Sequence, residues 1–132
     1  YSLDEWNTMS EDAHRLCFNE ERPYEMNTIT FALLVADENN DPVAYSTVIE
    51  MDKNSAYMQH GGSFPKFRAS IKVARAYHLM IAFIKENYRR ISTRIKNTNS
   101  SMLKLATSAD LIVNGIDLLE GELFLNLSWI KT

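Results

Sequence analysis

The spacing of apolar positions changes character several times along this chain, and each change predicts an element. Leu3, Trp6, Met9 or Ser10, Ala13, Leu16 and Cys17 recur at helical spacing behind Ser2-Leu3-Asp4-Glu5, which has the S-x-x-E form of a capping box. They predict a helix over about 3–19, with a second cap-like Ser10-Glu11-Asp12 inside it and Pro23 as its stop. A polar loop follows at 20–27. FALLVA at 31–36 has strand length, and Glu38-Asn39-Asn40-Asp41-Pro42 is a dense turn signal. VAYSTVIEM at 43–51 is β-branched and mostly alternating, so the two runs predict an antiparallel hairpin. Asp52-Lys53-Asn54 turns the chain again, and 55–64 returns as a third strand. Gly61-Gly62 within that strand marks a bulge or a close approach to the backbone.

The period then switches to helical. Val73, Ala76, Tyr77, Met80, Ile81, Ile84 and Tyr88 form one apolar stripe, with Arg75, Lys85 and Glu86 off it, in a helix that starts near Ser70. ISTRI at 91–95 is a short strand. Asn99 or Ser100 caps a second helix whose Met102, Leu103, Leu105, Ala106 and Ala109 face inward. Two strands close the chain, at 111–118 and 122–130, joined by a turn at Leu119-Glu120-Gly121. Hairpins with interposed helices predict an α/β fold: a mixed, mostly antiparallel central sheet flanked by helices. The strands before and after the long helix should be parallel neighbours with a right-handed crossover.

One stretch carries candidate chemistry. The strand at 55–64 passes through Pro65-Lys66-Phe67-Arg68 into the helix. A helix start offers unpartnered N–H groups and partial positive charge, and Arg68, Lys72 and Arg75 add full charges beside it. The phosphates of a nucleotide or coenzyme suit such a place.

Composition narrows the classes. The 132 residues fit one domain, 1–132, and the chain begins at Tyr1 without Met, so a further N-terminal strand is expected ahead of it. Net charge is −3, which argues against bulk attraction to nucleic acid. No apolar run reaches the roughly 18–20 residues of a spanning helix, so no membrane partner is expected, and no signal peptide is read at the start. The single cysteine, Cys17, excludes an internal disulfide and any multi-cysteine metal site, and fits a reducing, cytoplasmic setting. G-x-S-x-G, Walker, H-E-x-x-H and Cys/His zinc patterns do not occur.

The element order, with a basic loop between the third strand and the long helix, resembles the GNAT N-acetyltransferase family. Phe64-Pro65-Lys66-Phe67-Arg68 is similar to the family's V-x-P-x-(Y/F)-R approach to the coenzyme loop. The helix after it has the family's length and stripe, and Asn99, three residues before Met102, sits like the family asparagine that contacts the coenzyme. The resemblance implies acetyl-CoA in a V-shaped opening between two parallel strands, its pantetheine arm bonded to strand backbone and its pyrophosphate held by loop amides. Phe64, Arg68, Ala69, Ser70, Ile71, Lys72, Val73 and Asn99 become the coenzyme-binding candidates. It also implies direct attack of an amine on the thioester, a base for the amine proton and commonly a tyrosine for the leaving thiolate.

His60, on the strand beside the cleft, is the first candidate base, and Glu50 on the neighbouring strand the second. Strand alternation puts His60 and Met58 on one face and Gln59 on the other. His14 and His78 read as structural or exposed, and Tyr77 and Tyr88 as core. The chain departs from the family pattern in three places. Ile71 and Val73 occupy the two glycine positions of the phosphate loop, Ala106 stands where the tyrosine acid is usual, and Asp110-Leu111 replaces Gly-Phe. Tyr57 and Tyr45 are the substitutes open for the acid. Glu20, Glu21, Tyr24 and Glu25 fall where the family binds its acceptor and suit a cationic amine.

Two functions follow. One is transfer of an acetyl group to the amine of a small molecule or a protein. The other is a non-catalytic GNAT-like binding or structural protein, of the kind seen among phage sequences. A homodimer pairing through the closing strands at 111–130 is a further expectation.

Overall fold

The computed structural model describes residues 29–68 and 70–132. The predicted N-terminal helix, with Cys17 and His14, the acidic loop at 20–27 and Ala69 lie outside the described residues. Six strands and two helices follow in the predicted order: β1 (Phe31–Ala36), β2 (Pro42–Asp52), β3 (Ser55–Ser63), α1 (Ile71–Asn87), β4 (Arg90–Lys96), α2 (Ser100–Ser108), β5 (Ile112–Leu119) and β6 (Glu122–Ile130). They build one sheet in the order β1-β2-β3-β4-β6-β5. Only β3 and β4, the pair joined through α1, run parallel.

Local chemistry sets the boundaries. The Asp37 carboxylate accepts from the N–H groups of Asn39 and Asp41, both at 3.0 Å, and closes the β1–β2 turn with Asn40 at φ 64°. Pro65 opens a 3-10 turn, Pro65–Phe67, where its missing N–H costs nothing. Asn99 caps α2 by accepting from the Met102 N–H at 3.2 Å, as predicted.

The predicted start of β5 moves from 111 to 112, and the end of α2 explains it. Asp110 takes φ 70°, its N–H donates to the Thr107 carbonyl, and the Leu111 N–H donates to that of Ala106, each at 3.1 Å. This is a Schellman motif, and it buries Leu111 with Ala106 instead of releasing it to the strand. Glu120 and Gly121, at φ 51° and 79°, make the two-residue turn between β5 and β6.

The stripe of α1 meets the sheet as predicted. Ile81 and Ile84 share a core cluster with Val48, Met58, Ile91, Ile95, Ala106 and Leu127. Ala76, Tyr77 and Met80 pack with Val43, Ala44 and Phe67. Lys85 fastens α1 to the end of α2 through the Ala109 carbonyl at 2.8 Å and lies over the Trp129 ring. At the outer edge, β5 leaves Ile112, Ile116 and Leu118 exposed.

Ile84 is fully buried where helix meets sheet. Ile84→Ala should lower stability by about 2–5 kcal/mol. Urea denaturation should show an earlier midpoint with an unchanged slope.

Candidate functional site

The β3–β4 ladder is short. Ser55 to Met58 pair with Arg90 to Thr93, and the Thr93 hydroxyl donates to the Met58 carbonyl at 3.0 Å. Beyond that bond the two strands part, although β3 continues to Ser63 and β4 to Lys96. The opening holds a cavity of about 760 Å³, walled by Gln59–Ser63 on β3, by Arg94, Ile95 and Lys96 on β4, and by α1 and α2. Ser70, Val73 and Ala74 bring the start of α1 to it, and Asn99, Ser101 and Lys104 bring the start of α2.

A bulge shapes the β3 wall. Ser46 pairs with Gly61 and Val48 with Met58, so Thr47 alone opposes Gln59 and His60. The buried Thr47 hydroxyl fills the broken ladder: it accepts from the His60 N–H at 3.0 Å and lies 3.3 Å from the His60 carbonyl. Met58 shares the core cluster with Ile81 and Ile84 of α1. A Cβ on Gly61 would stand 2.6 Å from the Tyr77 hydroxyl of the same helix. Positions 58 and 61 therefore both face α1 although they are three residues apart. The extra residue reverses the alternation, so His60 does not share the face of Met58, contrary to the expectation from strand period. The Gly61-Gly62 signal holds in both its senses, a bulge beside it and a close approach onto it.

The structure sorts the sequence candidates by position. His60, Ser70, Val73 and Asn99 line the cavity. Phe64 is buried edge-on against Tyr45, Arg68 is exposed after the 3-10 turn, and Ile71 points to solvent, so none of the three lines the cavity. Lys72 does not line it either. Its ammonium reaches back to Asp37 and Glu38, both at 3.2 Å, and lies 5.3 Å from the centre of the Phe67 ring. Lys66 is likewise bound to Asp41 at 2.8 Å. Lys66 and Lys72 thus serve the β1–β2 turn. Glu50 lies outside the cavity lining and accepts from the Tyr88 hydroxyl at 2.7 Å; burial, with this bond second, pushes the Tyr88 phenol up to about 12.

Three residues emerge that the sequence reading passed over for this site. Tyr77 lines the cavity, whereas Tyr45 and Tyr57 do not, and its hydroxyl donates to the Tyr45 carbonyl at 3.4 Å. Its signal was the glycine opposite it. Thr47 left only the pairing of one β2 residue against two of β3. His78 lines the cavity with its Nε2 3.1 Å from the Ser108 hydroxyl. That hydroxyl donates to the Leu105 carbonyl at 2.6 Å, so the imidazole Nε2–H is the donor between the helices.

No family model and no curated protein matches this sequence. Solved structures do. The ribosomal-protein-S18-alanine N-acetyltransferase of Escherichia coli superposes with a TM-score of 0.72 at 8% identity, over 95% of this chain and 88% of that one. A chain of the NatC complex bound to Gag peptide and CoA gives 0.75 at 12%, over 100% and 96%. A GNAT family acetyltransferase from Elizabethkingia anophelis with acetyl-CoA bound gives 0.67 at 13%, over 88% and 86%. The chain has the GNAT fold. Within this GNAT fold the parted pair β3 and β4 is the V-shaped opening that the sequence resemblance implied. Among the described residues no group of three His, Cys, Asp or Glu is placed to hold a metal ion, and no helix is long and apolar enough to cross a membrane.

The clamp at Asp37 makes a pH prediction. Burial works to raise the Asp37 pKa, but the Asp41 N–H, Lys72 and the Asn39 N–H hold it below its ordinary 3.8. The folded pKa is the lower one, so the stability contributed is present above 3.8 and is lost as pH falls through the depressed value. Asp37→Asn keeps an acceptor oxygen and loses the charge. Urea denaturation should separate the two proteins at neutral pH and bring them together in acid; a pH-independent gap would refute the ion pair.

Proposed function

We propose that this chain is an acetyl-CoA-dependent N-acetyltransferase that transfers the acetyl group to an amine by direct attack. The parting of β3 and β4 beside the start of α1 carries the reading. It opens one strand edge and one helix start into the same cavity, the two backbone features that a long, amide-bearing arm ending in phosphates can use together. No side-chain hydrogen bond caps α1, since the Ser70 hydroxyl donates to the Phe67 carbonyl at 2.5 Å. Lys104, at the rim, forms no ion pair among the described residues. Ser70, Val73, Asn99 and Lys104 are the side chains that would border the phosphates, and Gln59–Ser63 the backbone that would border the arm. Lys72 is assigned to the fold rather than to phosphate.

The coenzyme supplies an activated acyl carbon as its thioester. The chain supplies the base: His60 borders the cavity within the bulge, and histidine as a residue type titrates in the range that removes a proton from an amine near neutral pH. The bulge turns His60 to the face away from α1, where an amine can approach without crossing the helix. Solved neighbours carry the names of acetyltransferases for spermidine, for streptothricin and for ribosomal-protein alanine, so this fold alone does not choose the acceptor.

Acetyl-CoA at 100 times its dissociation constant should stabilise the protein by roughly 2.7 kcal/mol, read as a raised melting temperature. No shift at millimolar coenzyme overturns the acetyltransferase reading. His60→Ala should leave that shift in place and lower kcat by about 100-fold or more; undiminished turnover across the pH range removes His60 as the base.

A further inference from the structure

Acyl transfer from a thioester needs a proton for the departing sulfur, and the position of the usual family tyrosine holds Ala106, which is buried and has none to give. Among the tyrosines of the described residues, Tyr77 alone lines the cavity. We propose that Tyr77 protonates the leaving thiolate, an assignment that rests on the acetyltransferase reading above.

Three features of the structure converge on it. First, the hydroxyl lies against the β3 wall. Only the missing side chain of Gly61 lets it come so close, because a Cβ there would stand 2.6 Å away. Second, its depth is right. The phosphates and the sulfur of the coenzyme are at opposite ends of a long arm. With the phosphates at Ser70, where α1 begins, the sulfur belongs further in. Tyr77 lies seven residues along the helix, about 10 Å inward. Third, its face is right. Tyr77 approaches β3 from the α1 side, whereas the bulge turns His60 to the other side. Base and acid thus flank the strand edge, so an amine can arrive past one while the sulfur leaves past the other.

The step balances without any further reagent. The amine nitrogen bonds to the acyl carbon and its proton goes to His60. The carbon–sulfur bond breaks with its electron pair on sulfur, sulfur takes the phenolic proton, and the proton held by His60 returns through water to the tyrosinate. The bond to the Tyr45 carbonyl, at 3.4 Å, is at the long end of the range for a hydroxyl donor.

The test is Tyr77→Phe, which keeps the ring. Wild type and variant are compared for melting temperature with and without acetyl-CoA, and for thiol release with spermidine, with an alanine-initiated peptide and with water as acceptors. The variant should melt near the wild type, keep acetyl-CoA affinity within about threefold, and lose at least about 100-fold in kcat. A second readout needs no turnover. The pKa of the bound CoA thiol, followed by thiolate absorbance, should rise by about one to two units when the phenolic donor is removed. If the variant melts early, fluorinated tyrosine at position 77, with its more acidic phenol, should move the alkaline limb of the rate downward in pH. Unchanged kcat, an unchanged thiol pKa, a stationary alkaline limb, or a wild type that binds acetyl-CoA without releasing thiol to any acceptor each overturns the assignment. Absence of acetyl-CoA binding by the wild type instead removes the acetyltransferase reading, and this assignment with it.

Discussion

The hydrogen bond from the Thr93 hydroxyl to the Met58 carbonyl is the last tie between β3 and β4, and the cavity depends on what happens beyond it. Two parallel strands held side by side satisfy each other's backbone. Once they part, each presents donors and acceptors to whatever fills the gap. The fold can tolerate that opening because the strands are secured elsewhere. β3 is backed by β2 and β4 by β6, while α1 and α2 bury the core cluster around Ile81 and Ile84 beneath the cavity. The bulge at Gln59 and His60 adds the turn of phase that gives the two sides of the opening different chemistry.

Electrostatics at the cavity mouth are decided by the β1–β2 turn. Asp37, Glu38 and Asp41 draw Lys72 and Lys66 toward the far side of α1, and both ammonium groups lie near the Phe67 ring. Hydrogen bonds to Asp37 and Glu38 hold Lys72 above the usual lysine range, so it stays charged and engaged. A stretch that looks like a phosphate cradle by charge is thereby turned into a tether. Of the cations that line the cavity, Arg94 is paired with Asp117 and Lys96 with Glu122, while Lys104 forms no ion pair among the described residues.

The departures from the family pattern also acquire physical content. Ile71 stands where the pattern has glycine, but it points to solvent, so its bulk does not occupy the cavity. Val73, by contrast, does line the cavity. Asp110 adopts the left-handed conformation that glycine would take at no cost, and Leu111 fills the apolar place after it, so the end of α2 keeps the shape while losing the signature. Ala106 is the departure with no local replacement. Among the tyrosines of the described residues, the one that lines the cavity, Tyr77, comes from a different helix.

Among the described residues, the sequence by itself determined the elements, their order, the parallel pair, the Asn99 cap and the burial stripe of α1. Each is local: a period of two or 3.6 residues, a turn residue, an Asn that must accept a nearby N–H. It also pointed to the strand and the helix that border the cavity, because Gly61-Gly62 and the helical period after Ser70 are local signals as well. Only the tertiary structure decided which charged side chains face the cavity, since Lys72 could have turned either way until Asp37 and Glu38 were brought beside it from thirty-odd residues earlier. The face on which His60 lies was likewise undecided. Strand period gives that face only while pairing is regular, and the single Thr47 opposite two residues is a fact of pairing that neither strand records alone.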